Sequence, residues 1–130
     1  MTARLSTGGT LKIVAFRGSP RHNGNTDLLL NQVLKTLKPD NNIVEFKLNK
    51  MNIKPCQNCG GCEKSGCCII ADDMQDIYSA IREADRIILS SPIFFFGLSA
   101  QAKIMVDRCQ AFWCEKYLLK KPIDTASQGR

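Results

Sequence analysis

Apolar and polar residues change their spacing several times along the chain, and each change marks a predicted element. Strands are indicated by two short apolar runs that are rich in β-branched residues and by one stretch in which apolar and polar residues alternate. These predicted strands cover residues 11–16, 42–48 and 86–91. Elsewhere apolar residues recur at the three- and four-residue spacing of a helix. The predicted helices cover residues 26–37, 72–84 and 99–112.

Strands that alternate with helices predict a doubly wound parallel α/β sheet with right-handed crossovers. The loops after the first and third strands leave the same edge of such a sheet, so we expect them to form one site. A sheet of this class usually has about five strands, whereas only three are predicted before Arg130. We therefore expect the chain to lack the C-terminal strands of its sheet, or a partner chain to cover the exposed third strand.

Composition excludes several classes of function. The 130 residues carry a net charge of +6 and are 44% hydrophobic, which is ordinary for a globular domain. Basic residues are scattered, without the basic stripe of a nucleic-acid-binding protein, and the longest apolar stretch is too short and interrupted to span a membrane. Residues 1–10 lack the apolar core of a signal peptide, so we predict a flexible N-terminal extension on a cytoplasmic protein.

Five of the seven cysteines lie close together in the middle of the sequence. Cys56, Cys59 and Cys62 are separated by two residues each, a spacing that brings three thiolates round a cubane iron–sulfur cluster. Cys67 or Cys68 supplies the fourth thiolate in this interpretation. A four-thiolate zinc site uses similar pairs but usually separates them by a dozen or more residues. A metal-free cluster of redox-active thiols is the third interpretation, and the spacing favours iron–sulfur.

The loop after the first predicted strand leads directly into a helix. Free backbone N–H groups and the helix dipole make such a junction favourable for an anion. Ser19, Asn25 and Thr26 add neutral donors, Arg21 adds a cation suited to phosphate, and Asn25 or Thr26 is predicted to cap the helix. The loop lacks the Gly-Lys-Thr ending of a triphosphate-binding loop. We therefore expect a terminal monophosphate; a capped turn without a ligand is the alternative.

The loop after the third predicted strand contains one proline and three phenylalanines between residues 90 and 97. A rigid aromatic loop can form the wall of a planar heterocycle, with backbone groups contacting the ring edges. Packing in the core or at a subunit interface is the alternative for each phenylalanine. A phosphate loop and an aromatic loop at one sheet edge together indicate a mononucleotide with a large ring, such as FMN.

Three motifs in order carry a resemblance to a known family: G-S-P-R-H-N-G-N-T, C-x2-C-x2-C-x5-C-I-I-A-D-D-M and S-P-I-F-F-F-G-L-S-A-Q-A-K-I-M-V-D-R-C. Over residues 11–113 the chain resembles the iron–sulfur flavoproteins and related NADPH-dependent FMN reductases, of flavodoxin-like fold. The resemblance implies that the FMN phosphate is bound by Ser19, Arg21, Asn25 and Thr26. It implies that the isoalloxazine ring is lined by Pro92, Ile93, Phe94, Phe95 and Gly97. The cluster ligands that it implies are Cys56, Cys59, Cys62 and, from the D-D-M register, Cys68.

The function implied by the resemblance is a flavin-dependent oxidoreductase that passes electrons between a donor, a 4Fe-4S cluster and FMN to a small-molecule acceptor. NAD(P)H or ferredoxin is the expected donor, a homo-oligomer (dimer or tetramer) is expected, and no side chain is expected to act as a catalytic acid or base. The resemblance implies that residues 11–130 are the N-terminal part of an FMN-binding domain, with residues 49–72 as its cluster loop. Two alternatives stay open: a cluster-free NAD(P)H-dependent FMN or quinone reductase, and a zinc- or thiol-based redox-sensing protein without flavin activity.

Overall fold

A three-stranded parallel sheet forms the centre of the structure, a computed structural model that describes residues 9–122. Its strands are β1 (Lys12–Arg17), β2 (Asn42–Lys47) and β3 (Arg86–Ser90). β1 is the middle strand, in the order β2-β1-β3, and the register aligns Ile13 with Ile43 of β2 and with Arg86 of β3. The three predicted strands are therefore confirmed, each to within one residue at its ends.

Five α-helices and a π-helical turn, besides the short 3₁₀ turns Lys38–Asp40 and Leu48–Lys50, connect and follow these strands in the described part of the chain. They are α1 (Asn25–Leu37), α2 (Gly61–Ser65), α3 (Met74–Glu83), α4 (Ala100–Arg108), α5 (Gln110–Trp113) and the π-helical turn Cys114–Leu118. The first two predicted helices correspond to α1 and α3, and α2 was not predicted. The third predicted helix is divided between α4 and α5, because the Tyr78 hydroxyl donates a hydrogen bond at 2.7 Å to the Arg108 carbonyl at the break.

Helices cover both faces of the sheet. On one face, Leu30 and Leu34 of α1 pack against Ala15 of the middle strand. On the other face, α3, α4 and α5 contribute apolar side chains to a larger core around Val14 and Phe16. Because β1 is buried on both sides, its sequence is continuously apolar rather than alternating. This arrangement confirms the predicted α/β class with a doubly wound parallel sheet.

One edge of the sheet is formed by β3, which pairs only with β1 among the described residues. Ile87 on this strand is 54% exposed. The covering of this edge by later strands or by a partner chain stays a prediction. Residues 1–8 of the predicted N-terminal extension lie outside the described residues. Among the described helices, none combines the length and the apolar character that a bilayer crossing requires.

Candidate functional site

The loops after β1 and β3 meet at the carboxyl edge of the sheet. The Gly18 N–H donates to the Ser90 carbonyl at 2.8 Å, and the Ser99 hydroxyl donates to the Gly18 carbonyl at 2.6 Å. Gly18 fits between these neighbours because it has no side chain: a Cβ added here would lie 2.7 Å from the Ser90 carbonyl oxygen. The prediction that the two loops share one edge is therefore confirmed.

Ser99 is a fully buried residue that holds three segments together. Its hydroxyl accepts a hydrogen bond from the Ala102 N–H at 3.2 Å and so caps α4, while its own N–H donates to the Ser91 hydroxyl at 2.9 Å. A serine before a helix is a visible capping signal, but the contact with Gly18 joins residues 81 positions apart. Sequence reasoning therefore missed Ser99 as a residue that positions both loops.

The first turn of α1 presents backbone N–H groups that no side chain caps. The N-cap residue is Gly24, so the prediction of Asn25 or Thr26 was wrong. The helix starts earlier than predicted because the Gly24 carbonyl, in extended conformation, already accepts the Leu28 N–H at 3.0 Å. Among residues 9–122, the N–H groups of Asn25, Thr26 and Asp27 have no hydrogen-bond partner. A helix end of this kind is favourable for an anion.

Two separate cavities divide the predicted phosphate-binding residues. Ser19 and Arg21 line the first, and the Arg21 N–H donates to the Ser19 hydroxyl at 3.2 Å. Asn25 and Thr26 line the second, together with the serines at the end of β3. The structure therefore places Asn25 and Thr26 in a groove between α1 and β3, apart from the cavity that Ser19 and Arg21 line.

Arg21 differs electrostatically from the other arginine of the first cavity. Arg17 is paired with Glu45 at 2.8 Å and with Asp27 at 3.4 Å. Burial raises the pKa of Glu45, but the bonds from Arg17 and Lys38 outweigh that effect and hold the pKa below its usual value. Arg21 has no ion pair within residues 9–122. Its charge is thus available to an anion.

A tight two-residue turn lies in the aromatic loop after β3. The Phe94 N–H donates to the Gly97 carbonyl at 2.9 Å, and the Gly97 N–H donates to the Phe94 carbonyl at 3.0 Å. The central residues Phe95 and Phe96 have φ angles of 42° and 65°, which bulky residues rarely adopt. Their side chains are 98% and 95% exposed. The predicted ring-lining residues of this loop do not line the cavity beside Asn25 and Thr26.

The cysteine segment folds around the short helix α2. This helix ends at Gly66, whose φ of 78° favours glycine and whose N–H donates to the Cys62 carbonyl at 2.8 Å. One cavity beside α2 is lined by all four predicted ligands, and Cys67 does not line it. The four ligands are Cys56, Cys59, Cys62 and Cys68. Folding of the segment therefore leaves the four predicted ligands around one cavity.

Cys114 approaches this group from the π-helical turn after α5. Its buried Sγ lies 3.7 Å from the Cys62 Sγ. Burial and the hydrogen bond with Cys114 raise the pKa of the Cys62 thiol to about 11. A thiol with such a pKa is protonated at neutral pH until a metal ion displaces its proton. Sequence reasoning could not detect this contact, which joins residues 52 positions apart.

A buried ion pair also borders the cysteine cavity. Arg108 lines the cavity and pairs with Asp72, with both side chains 1% exposed. Its guanidinium donates to the two carboxylate oxygens of Asp72 at 2.7 and 3.1 Å and to the Lys54 carbonyl at 2.8 Å. Asp72 also accepts the N–H groups of Lys54 at 2.8 Å and Met74 at 3.1 Å. The pair thus fixes the cysteine segment to α4.

The donor set beside α2 is compatible with a metal cluster. Across residues 9–122, no three His, Cys, Asp or Glu side chains converge closely enough to ligate one metal ion. The four cysteines share a cavity without meeting at one point. Four thiols are nevertheless the donor set of iron–sulfur clusters and of structural zinc sites, and Arg108 supplies a cation beside them. By donor chemistry, these residues fit such a group.

Comparisons with known proteins agree with this arrangement. The chain matches the family described as NADPH-dependent FMN reductase over residues 11–129. It is 40% identical to an iron-sulfur flavoprotein of Methanocaldococcus jannaschii over 75% of this chain and 51% of that protein. An iron-sulfur flavoprotein of Archaeoglobus fulgidus is 36% identical over 81% of this chain and 54% of its own length. An iron-sulfur flavoprotein of Methanosarcina thermophila is 30% identical over 89% of this chain and 61% of its own length.

The chain spans about half the length of the curated relatives it matches. The match to the family, in contrast, extends over nearly all of this chain. It includes the loop after β1, the cysteine segment and the loop after β3, which are the three regions described above. The chain therefore belongs to the NADPH-dependent FMN reductase family, of flavodoxin-like fold, and its similar relatives include iron–sulfur flavoproteins.

Proposed function

We propose that this chain binds FMN at the edge of the sheet and a 4Fe-4S cluster on its cysteine segment, and that it acts as a flavin-dependent oxidoreductase. Membership of the family supports FMN, and the names of the similar relatives support a cluster. FMN supplies the exchange between two-electron donors and one-electron carriers, and a cluster supplies one-electron storage. Electrons would pass between a donor, the cluster and FMN to a small-molecule acceptor.

The observation that carries the cluster proposal is the shared cavity of the four cysteines. Cys56, Cys59, Cys62 and Cys68 would each supply one thiolate. Cys67 is adjacent in sequence but does not line the cavity, which favours Cys68 as the fourth ligand. The raised pKa of Cys62 means that loading of this site releases a proton.

The start of α1 supports binding of the FMN phosphate. Asn25 and Thr26 would offer backbone N–H groups and side-chain donors, and Arg21 and Ser19 would approach from the adjoining loop. The turn over residues 92–97 would contact the flavin ring, and we assign this role to Pro92, Ile93, Phe94, Phe95 and Gly97. The strained, exposed conformation of Phe95 supports a ligand contact, because strain of this kind concentrates at functional sites.

The proposed partners follow from the family description and from the exposed parts of the structure. NAD(P)H or ferredoxin is the proposed electron donor, in line with the family description. We propose a homo-oligomer, either a dimer or a tetramer, because β3 has an open edge and Phe95 and Phe96 are almost fully exposed. A cytoplasmic location is proposed, where thiols stay reduced and available to a cluster.

The test is an absorbance spectrum of protein purified without oxygen, together with iron, sulfide, zinc and flavin quantitation. We expect flavin bands over a broad iron–sulfur absorption, with about four irons per chain. Cys59→Ala should lose iron and keep FMN, whereas the matched control Cys67→Ala should keep both. Iron content that is unchanged in Cys59→Ala would contradict the proposed ligand set.

The same measurement distinguishes the two alternatives. Bound FMN with neither iron nor labile sulfide would indicate a cluster-free NAD(P)H-dependent FMN or quinone reductase. A protein that contains zinc or no metal, and stays colourless after incubation with FMN, would indicate a redox-sensing thiol protein. The Sγ atoms of Cys62 and Cys114, 3.7 Å apart, would then be the pair to examine for a disulfide.

A further inference from the structure

Arg108 retains one unpaired hydrogen-bond donor although its side chain is almost completely buried. Its terminal nitrogens bind Asp72 and the Lys54 carbonyl. The Nε atom is also buried but has no hydrogen-bond partner within residues 9–122. A buried N–H without a partner is costly and rare in proteins. The position of this donor therefore requires an explanation that the ion pair with Asp72 does not give.

The surroundings of Arg108 indicate which kind of group would satisfy this donor. Arg108 lines the cavity that also holds the four predicted cysteine ligands. Electrostatic coupling with Cys68 contributes to the raised pKa of Arg108 and to that of Tyr78. Tyr78 in turn donates to the Arg108 carbonyl at 2.7 Å. A fixed cation with a free N–H thus lies beside thiols that become anionic on metal binding.

The ion pair with Asp72 holds the cation in this position. Burial lowers the pKa of Arg108, but the hydrogen bonds with the Asp72 carboxylate outweigh that effect and raise it above the usual value. Arg108 is therefore charged at every working pH. Because two of its nitrogens are held by one carboxylate, the plane of the guanidinium is fixed, and so is the direction of the Nε–H bond.

We infer that Arg108 is a positioning residue for the cluster. Its Nε–H donates to a thiolate sulfur of the loaded site, and its positive charge sets the reduction potential of the cluster. This inference rests on the cluster proposed above. Reduction adds a negative charge to the cluster, and a nearby cation or N–H donor stabilises that charge. Arg108 should therefore raise the reduction potential above the value that the four thiolates alone would give.

The test compares reduction potentials in this chain after reconstitution with ferrous iron and sulfide without oxygen. Arg108→Lys keeps the positive charge opposite Asp72 but removes the Nε–H. We expect it to retain iron and to shift the equilibrium towards the oxidised form by about tenfold, which is about 59 mV for one electron. Arg82→Lys is the matched control, because Arg82 pairs with Glu115 at 2.7 Å and does not line the cysteine cavity.

A second variant tests the same role in case Arg108→Lys fails to fold. The double variant Arg108→Gln with Asp72→Asn removes both buried charges together and leaves no unpaired ion. A lowered potential in either loaded variant, with the Arg82→Lys control unchanged, supports the role of Arg108. A wild-type potential in both loaded variants overturns that role and leaves the cluster proposal intact. A wild-type protein that takes up no iron overturns the cluster, and the role of Arg108 with it.

Discussion

Replacement of Gly18 by alanine should test the junction between the loops after β1 and β3. The added Cβ would lie 2.7 Å from the Ser90 carbonyl oxygen and 3.1 Å from the Ala102 Cβ. The oxygen belongs to the backbone of β3, so it cannot rotate away as a flexible side chain could. The two strand ends must therefore separate, which weakens the 2.8 Å hydrogen bond from the Gly18 N–H to Ser90.

Three contributions set the expected loss of stability. Overpacking costs about 1–3 kcal/mol, and a weakened hydrogen bond costs about 1 kcal/mol. The lower entropy of the unfolded alanine chain offsets about 0.4–1 kcal/mol. We expect Gly18→Ala to lower the free energy of unfolding by about 2 kcal/mol, which corresponds to a decrease of about 8 °C in the melting temperature of a domain this size.

The assay is thermal and urea unfolding followed by circular dichroism. Gly9→Ala is the control, because a Cβ added at Gly9 has no atom within 4 Å, and it should unfold like the wild type. Gly18→Ala should unfold at a clearly lower temperature without a change in the urea dependence of the unfolding free energy. Equal melting temperatures for the two variants would refute the close approach of the two loops.

Three further predictions concern pH, strain and thiol reactivity. Burial raises the pKa of Asp72, but bonds from Arg108 and from backbone N–H groups hold it below the usual value. Its stabilisation is thus present above about pH 4 and lost at lower pH; urea titrations should show this loss in the wild type and not in Asp72→Asn. Phe95→Asn with Phe96→Gly suits the positive φ angles and should raise the free energy of unfolding by about 1 kcal/mol, while weakening FMN binding in a fluorescence titration. In metal-free protein, the pKa of about 11 at Cys62 lowers its thiolate fraction at pH 8 about two-hundredfold relative to an ordinary thiol, and the greater nucleophilicity of a high-pKa thiolate offsets part of this loss. Cys62 should therefore react with iodoacetamide at least about tenfold more slowly, and mass spectrometry showing equal rates would contradict this.

The sequence predicted the elements of the fold well because their signals are local. The apolar run of β1 and the helical spacing of α1 are both visible within about a dozen residues. The start of α1 was missed by one or two residues, since the sequence does not show that the Gly24 carbonyl accepts the first helical hydrogen bond. Helix α2 was missed because five residues are too few to establish a helical period.

The contacts that organise the candidate site were not predictable in the same way. The Ser99 hydroxyl meets the Gly18 carbonyl across 81 positions, and Arg108 meets Asp72 across 36. Such pairs depend on how the elements pack, which spacing along one segment does not specify. The cysteine spacing predicts three of the proposed ligands, whereas the proposal of Cys68 rather than Cys67 depends on the family resemblance or on the cavity beside α2.

The place of β1 in the middle of the sheet has a consequence for synthesis on the ribosome. β1 can pair with β2 soon after both strands emerge, but its other edge stays unpaired until β3 emerges. At the start of this second pairing, the Lys12 N–H donates a hydrogen bond to the carboxylate of Asp85, which lies 73 positions later in the chain. The cysteine segment emerges during this interval, while one edge of β1 is still open. Long-range pairing of this kind is slow, and open strand edges aggregate. The nascent chain is therefore most vulnerable to aggregation between the emergence of β2 and that of β3.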